Sequence, residues 1–164
     1  VAEQVGLHAI QLHGAEVAEQ WREWPADIPL IRAIAWRAES EEDEACVRAW
    51  KTVRWQSPQA TAPLHPKPPW FLVDAYDPVR LGGTGKTTRW DLLHPRPELL
   101  QSQPCILAGG LTAENVRQAI EVARPDAVDT ASGVEQSPGV KDVCKMQAFM
   151  QEVLSVWSSE QGEE

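Results

Sequence analysis

Asp74 follows the apolar run Trp70–Val73 directly, so a carboxyl group stands where a buried segment ends. A carboxyl group there can give or take a proton, and partial burial can tune its pKa to the task. The same residue type also caps loops. A second pattern is Leu107-Ala108-Gly109-Gly110-Leu111 before Thr112, with a counterpart in Asp129-Thr130-Ala131-Ser132-Gly133. Glycines between a strand end and a helix N-terminus expose backbone N–H groups that an anion can use. Gly109, Gly110, Ser132 and Gly133 are therefore candidate phosphate ligands, with Asp129 beside them. The segment Leu81–Thr87 ends in Gly85-Lys86-Thr87, but position 80 is Arg, so the first glycine of a P-loop is missing. It reads instead as a loop over the site, with Gly82 and Gly83 toward the substrate. His13 ends the run Ile10–Leu12 and is ligand-adjacent. His8, His65 and His94 lack metal-ligand spacing, and Cys46, Cys105 and Cys144 do not pair with them, so no metal site is expected.

Five short apolar runs must position these groups: Ala9–Leu12, Leu30–Ala35, Trp70–Val73, Cys105–Ala108 and Ala127–Val128. Helical patterns follow at Ala15–Trp24, at Glu41–Lys51, from an N-cap at Thr112 to Ala123, and at Asp142–Trp157. In the last, Val143, Met146, Phe149, Met150, Val153 and Val156 form an apolar stripe. Residues 56–69 carry Pro58, Pro63, Pro66, Pro68 and Pro69 and read as a loop insertion, and 158–164 as a disordered acidic tail. Strands alternating with helices imply a parallel sheet. Periodicity leaves a doubly wound sheet and a (β/α)8 barrel both open, and both bind ligands at the carboxyl ends of their strands. Anion loops after the last two strands match the barrel's shared phosphate site.

The 164 residues suit one domain, and a 43% hydrophobic share can form a core. A formal charge of −9 argues against unspecific nucleic-acid binding, which Lys and Arg supply. No apolar run is long enough to span a bilayer, and no signal peptide is visible. Three scattered cysteines fit reduced thiols in the cytoplasm.

The segments IQLHGAE (10–16), LVDAYD (72–77), GGTGKTTRWDLL (82–93), ILAGGLTAENVRQAI (106–120) and PDAVDTASGVEQSPGVKD (125–142) carry a resemblance. They are collinear, and together they resemble phosphoribosylanthranilate isomerase, a (β/α)8 TIM-barrel enzyme of tryptophan biosynthesis. The resemblance implies an Amadori rearrangement without a cofactor: an acid protonates the ribose ring oxygen and a base removes the C2 proton. It makes Asp74 the acid and places the phosphate of a small-molecule substrate on Gly109, Gly110, Ser132 and Gly133.

The family's base is a cysteine in a Lys-x-Cys-Gly segment, which does not occur here, and none of Cys46, Cys105 and Cys144 stands where it could replace it. IQLHG matches the fourth strand of the family. The expectation is therefore an N-terminally truncated barrel of about five βα units over 1–157, poorly soluble or oligomeric and without turnover when expressed alone. Fusion to, or association with, another tryptophan-pathway enzyme stays open. So do two other readings: a different phosphate-binding TIM-barrel enzyme, and a non-catalytic phosphate-binding half-barrel.

Overall fold

The computed structural model describes residues 2–21, 28–37, 40–52, 69–74 and 90–160. After a single helical turn, α1 (Ala2–Val5), the chain runs through β1 (Ile10–Leu12), β2 (Leu30–Ala35), α2 (Glu41–Thr52), β3 (Trp70–Asp74) and β4 (Cys105–Ala108). It continues with α3 (Val116–Ala123), β5 (Ala127–Val128), a small antiparallel hairpin of β6 (Glu135–Ser137) and β7 (Val140–Lys141), and α4 (Val143–Glu160). The five strands β1 to β5 pair in parallel and in sequence order.

That order decides between the two parallel architectures. Parallel crossovers are right-handed, so strands laid down in one direction place every connection on the same face, whereas a doubly wound sheet reverses. Phe71 and Val73 of β3 and Leu107 of β4 are fully buried in one cluster with Val47 and Trp50 of α2, Ile120 of α3 and Phe149 of α4. Their neighbours along the strands, Leu72, Ile106 and Ala108, form a separate cluster with Ile31, Ala33 and Ala127 on the opposite face. One helical layer and one strand-lined inner face are the winding of a (β/α)8 barrel. Among the described residues β1 and β5 each pair with one other strand of this sheet.

Phe71 sits at the centre of the helix-facing layer with no exposure. Truncating it in Phe71→Ala is expected to cost about 3–5 kcal/mol in a denaturant unfolding experiment, because the cavity adds to the lost transfer energy.

Several local expectations need correction. In place of a helix over Ala15–Trp24 the described residues hold one 3-10 turn, Ala18–Trp21. The carboxylate of Glu16 is drawn back to the Gly14 amide and to Arg32, which ties the first residues to the strand end. Thr112 does not cap α3 with its side chain: Asn115 stands at the N-cap, and its Oδ1 accepts from the Thr112 amide at 2.8 Å. The apolar residues of α4 split into two stripes. Phe149, Val153 and Val156 are buried, whereas Val143, Met146, Met150 and Leu154 are exposed. The acidic tail is helical as far as Glu160, since α4 runs through Ser158. Of the proline-rich stretch, 56–68 lie outside the described residues, and Pro69 is buried at the start of β3.

Candidate active site

Ladder lengths open the site. The pairing of β1 with β2 ends at Leu12↔Arg32, while that of β2 with β3 continues to Ala35↔Asp74. The last residues of β2 therefore lose their neighbour on one side, and a gap forms beside them. It is a cavity of about 280 Å³ lined by His13 and Gly14 after β1, Arg32 to Ala35 of β2, Asp43 and Cys46 of α2, and Asp74 of β3.

Asp74 is half-buried, and its backbone carbonyl accepts from the Trp36 amide at 3.3 Å, which holds the end of β3 against the chain leaving β2. The opposite wall is fixed by α2. The Ser40 hydroxyl accepts from the Asp43 amide at 3.4 Å, a side-chain cap on the first turn. Burial raises the Asp43 carboxyl, but the side chain and amide of Arg37 outweigh it and hold the group below the usual carboxylate range. Asp43 is thus a charged strut in the wall, already committed to Arg37.

The glycine loops form a second feature. Gly109 and Gly110 turn through positive φ (93° and 61°), a conformation that glycine adopts without strain. Ser132–Val134 form a short 3-10 turn after β5, and Thr130 Oγ1 donates to the Leu111 carbonyl at 2.6 Å, joining the two loops. A Cβ on Gly133 would overlap that same carbonyl. Lys141 donates to the Ala131 carbonyl at 2.7 Å and to Glu135 at 2.9 Å, fastening the 3-10 turn to the hairpin. The hydrogen bond from Lys141 keeps the Glu135 carboxyl below its ordinary value.

His13 and Asp74 therefore share one cavity, whereas Gly109, Gly110, Asp129, Ser132 and Gly133 are not part of its walls. Gly82 and Gly83 lie outside the described residues. Sequence reasoning missed Arg32 and Asp43 altogether, and it set Cys46 aside as a helical residue. The first turns of α2 lie over the end of β2, which brings Cys46 to the cavity. Cys105 and Cys144 stand elsewhere, buried at the start of β4 and exposed on α4. Burial pushes the Cys105 thiol up to about 11. At about pH 8 iodoacetamide is therefore expected to label Cys144 and spare Cys105 until the protein unfolds, as peptide mass spectrometry would read, because the thiolate is the nucleophile. Among the described residues no cluster of His, Cys, Asp and Glu could hold a metal ion, and no helix is long and apolar enough to cross a membrane.

Residues 1–152 match the family model described as N-(5'-phosphoribosyl)anthranilate (PRA) isomerase. An N-(5'-phosphoribosyl)anthranilate isomerase of Crocosphaera subtropica is 37% identical over 158 residues, an alignment that takes in 92% of this chain and 64% of the relative. The phosphoribosyl anthranilate isomerase of Thermotoga maritima superimposes with a TM-score of 0.68 at 34% identity, over 94% of this chain and 65% of that one. A solved isomerase in complex with reduced 1-(o-carboxyphenylamino)-1-deoxyribulose 5-phosphate gives a TM-score of 0.66 at 31% identity, over 94% and 63%. The chain thus spans slightly less than two thirds of the relatives it matches. With a sheet wound in one direction, an aspartate ending β3 and two joined glycine loops after β4 and β5, the chain belongs to the N-(5'-phosphoribosyl)anthranilate isomerase family.

Proposed function

We propose that this protein takes part in tryptophan biosynthesis in the cytoplasm as an isomerase, converting N-(5'-phosphoribosyl)anthranilate to 1-(2-carboxyphenylamino)-1-deoxyribulose 5-phosphate. The observation that carries the reading is the placement of Asp74 at the carboxyl end of β3, within a cavity, with a pair of joined glycine loops after the next two strands, β4 and β5. Asp74 protonates the ribose ring oxygen as the ring opens, and a base then removes the C2 proton of the resulting iminium. The phosphate lies on the loops of Gly109, Gly110, Ser132 and Gly133, with Asp129 as a secondary contact and Gly82 and Gly83 in the loop over the substrate. His13 lines the same cavity and lies adjacent to the ligand. A relative seen with the reduced product analogue supports a phosphorylated amino-sugar as the ligand class.

The test is turnover of N-(5'-phosphoribosyl)anthranilate by the intact protein that carries this sequence, together with titration of the reduced product analogue. The absence of both turnover and binding, in a protein shown to be folded, would remove the reading.

A further inference from the structure

Arg32 is a charged side chain in an apolar strand, only 8% exposed, on the sheet face that otherwise packs against helices. A buried guanidinium persists only when its charge and donors find partners. Here the partners of its two Nη groups lie in one short segment, while Nε is buried without a hydrogen-bond partner among the described residues. Nη1 reaches the Leu12 carbonyl at 3.5 Å and Glu16 Oε2 at 2.7 Å, and Nη2 donates to the Gly14 carbonyl at 2.9 Å. Glu16 Oε2 in turn accepts from the Gly14 amide at 2.8 Å. The guanidinium lies over the Trp50 ring, 5.4 Å from its centroid, so α2 fixes its plane from behind.

The two carbonyls flank His13, and Glu16 ties back to one of the same residues through the Gly14 amide. The backbone ladder that would hold this segment stops at Leu12, and β1 contributes only three residues to the sheet. From these contacts we infer that Arg32 is a positioning residue, which with Glu16 replaces the missing ladder and holds the exposed His13 imidazole at the rim of the Asp74 cavity. A fork of donors with fixed geometry suits this role, because one planar group grips two carbonyls and a carboxylate at once. A lysine presents a single point of charge and cannot span all three. The consequence for turnover rests on the isomerase reading above; the positioning itself does not.

The experiment compares Arg32→Lys and Glu16→Ala with the parent protein by NMR. It reads the His13 imidazole resonances and the exchange rate of the Gly14 amide, with His94 as an internal reference. The expected result is a shifted and broadened His13 signal in both variants and Gly14 exchange faster by about tenfold, with His94 unmoved. A structural role alone would lower the thermal midpoint and leave the His13 signal of the folded protein in place. Should Arg32→Lys fail to fold, Glu16→Ala, on a half-exposed side chain, decides the matter. Unchanged His13 and Gly14 signals in a folded variant would overturn the inference. In turnover, Arg32→Lys should lower kcat more than it raises KM.

Discussion

Replacing Gly133 by alanine is expected to weaken binding of inorganic phosphate and of ribose 5-phosphate by at least about tenfold, and to lower stability by about 1–3 kcal/mol. The physical cause is one missing atom. A Cβ at this position would overlap the Leu111 carbonyl oxygen and come within 2.8 Å of Thr130 Oγ1 and 2.9 Å of the Leu111 carbonyl carbon. Two of those three atoms are backbone, and Leu111 is itself 1% exposed and packed in the main core. It has no room to retreat. The 3-10 turn Ser132–Val134 must move instead, which breaks the Thr130–Leu111 hydrogen bond and separates the two loops. Gly139→Ala is the control, since that glycine has φ +80° and nothing within 4 Å of an added Cβ. It carries the cost of a left-handed residue, about 1–2 kcal/mol, without intruding on the Leu111 carbonyl. Isothermal titration and thermal unfolding of both variants separate site geometry from backbone strain. Phosphate affinity equal to the parent's in Gly133→Ala would show that the glycine loops are not the anion site.

Some of this was legible from residue order because short-range physics dictates it. Short apolar runs, four of them followed directly by Asp, Gly or His, gave all five strands of the main sheet, with β2, β4 and β5 at their observed bounds. The acidic start and apolar face of α2 gave its extent to within a residue, and the Gly109-Gly110 turn followed from residue type. What stayed hidden depends on contacts between residues far apart in the chain. Arg32 passed unremarked within an apolar run, since its acceptors lie 16, 18 and 20 residues back. Cys46 reached the cavity only because α2 lies over the end of β2. The two faces of α4 show the same limit from the other side. Both stripes have helical spacing, and packing against α3 and the 3-10 turn Ser132–Val134 selects Phe149, Val153 and Val156 as the buried one. The described residues 15–21 show a related limit, because the carboxylate of Glu16 is held by Arg32, 16 residues further on.

Asp74→Asn in the intact protein is expected to lower kcat by about 10²–10⁴-fold while KM changes by less than about threefold, the loss that follows removal of a general acid. Asparagine matches the shape of the side chain and keeps a hydrogen-bonding oxygen, but it has no acidic proton to give to a departing ring oxygen. Asp74 is half-buried at the last pair of the β2–β3 ladder, and that pairing, like the bond from the Trp36 amide, runs through its backbone. Substrate binding should persist as well, since the proposed phosphate contacts come from loops outside this cavity. Asp129→Asn discriminates between a general effect of removing charge near the strand ends and the loss of one particular proton. Its side chain follows β5, is exposed, and does not line the cavity, so its effect on kcat should be smaller than that of Asp74→Asn. Steady-state kinetics on the two variants, with phosphate affinity measured alongside, would settle the assignment. Equal losses in both, or an Asp74→Asn enzyme within a few-fold of the parent, would move the acid away from β3. A loss confined to kcat in Asp74→Asn would tie the protonation step to the one aspartate that the sheet carries into the cavity.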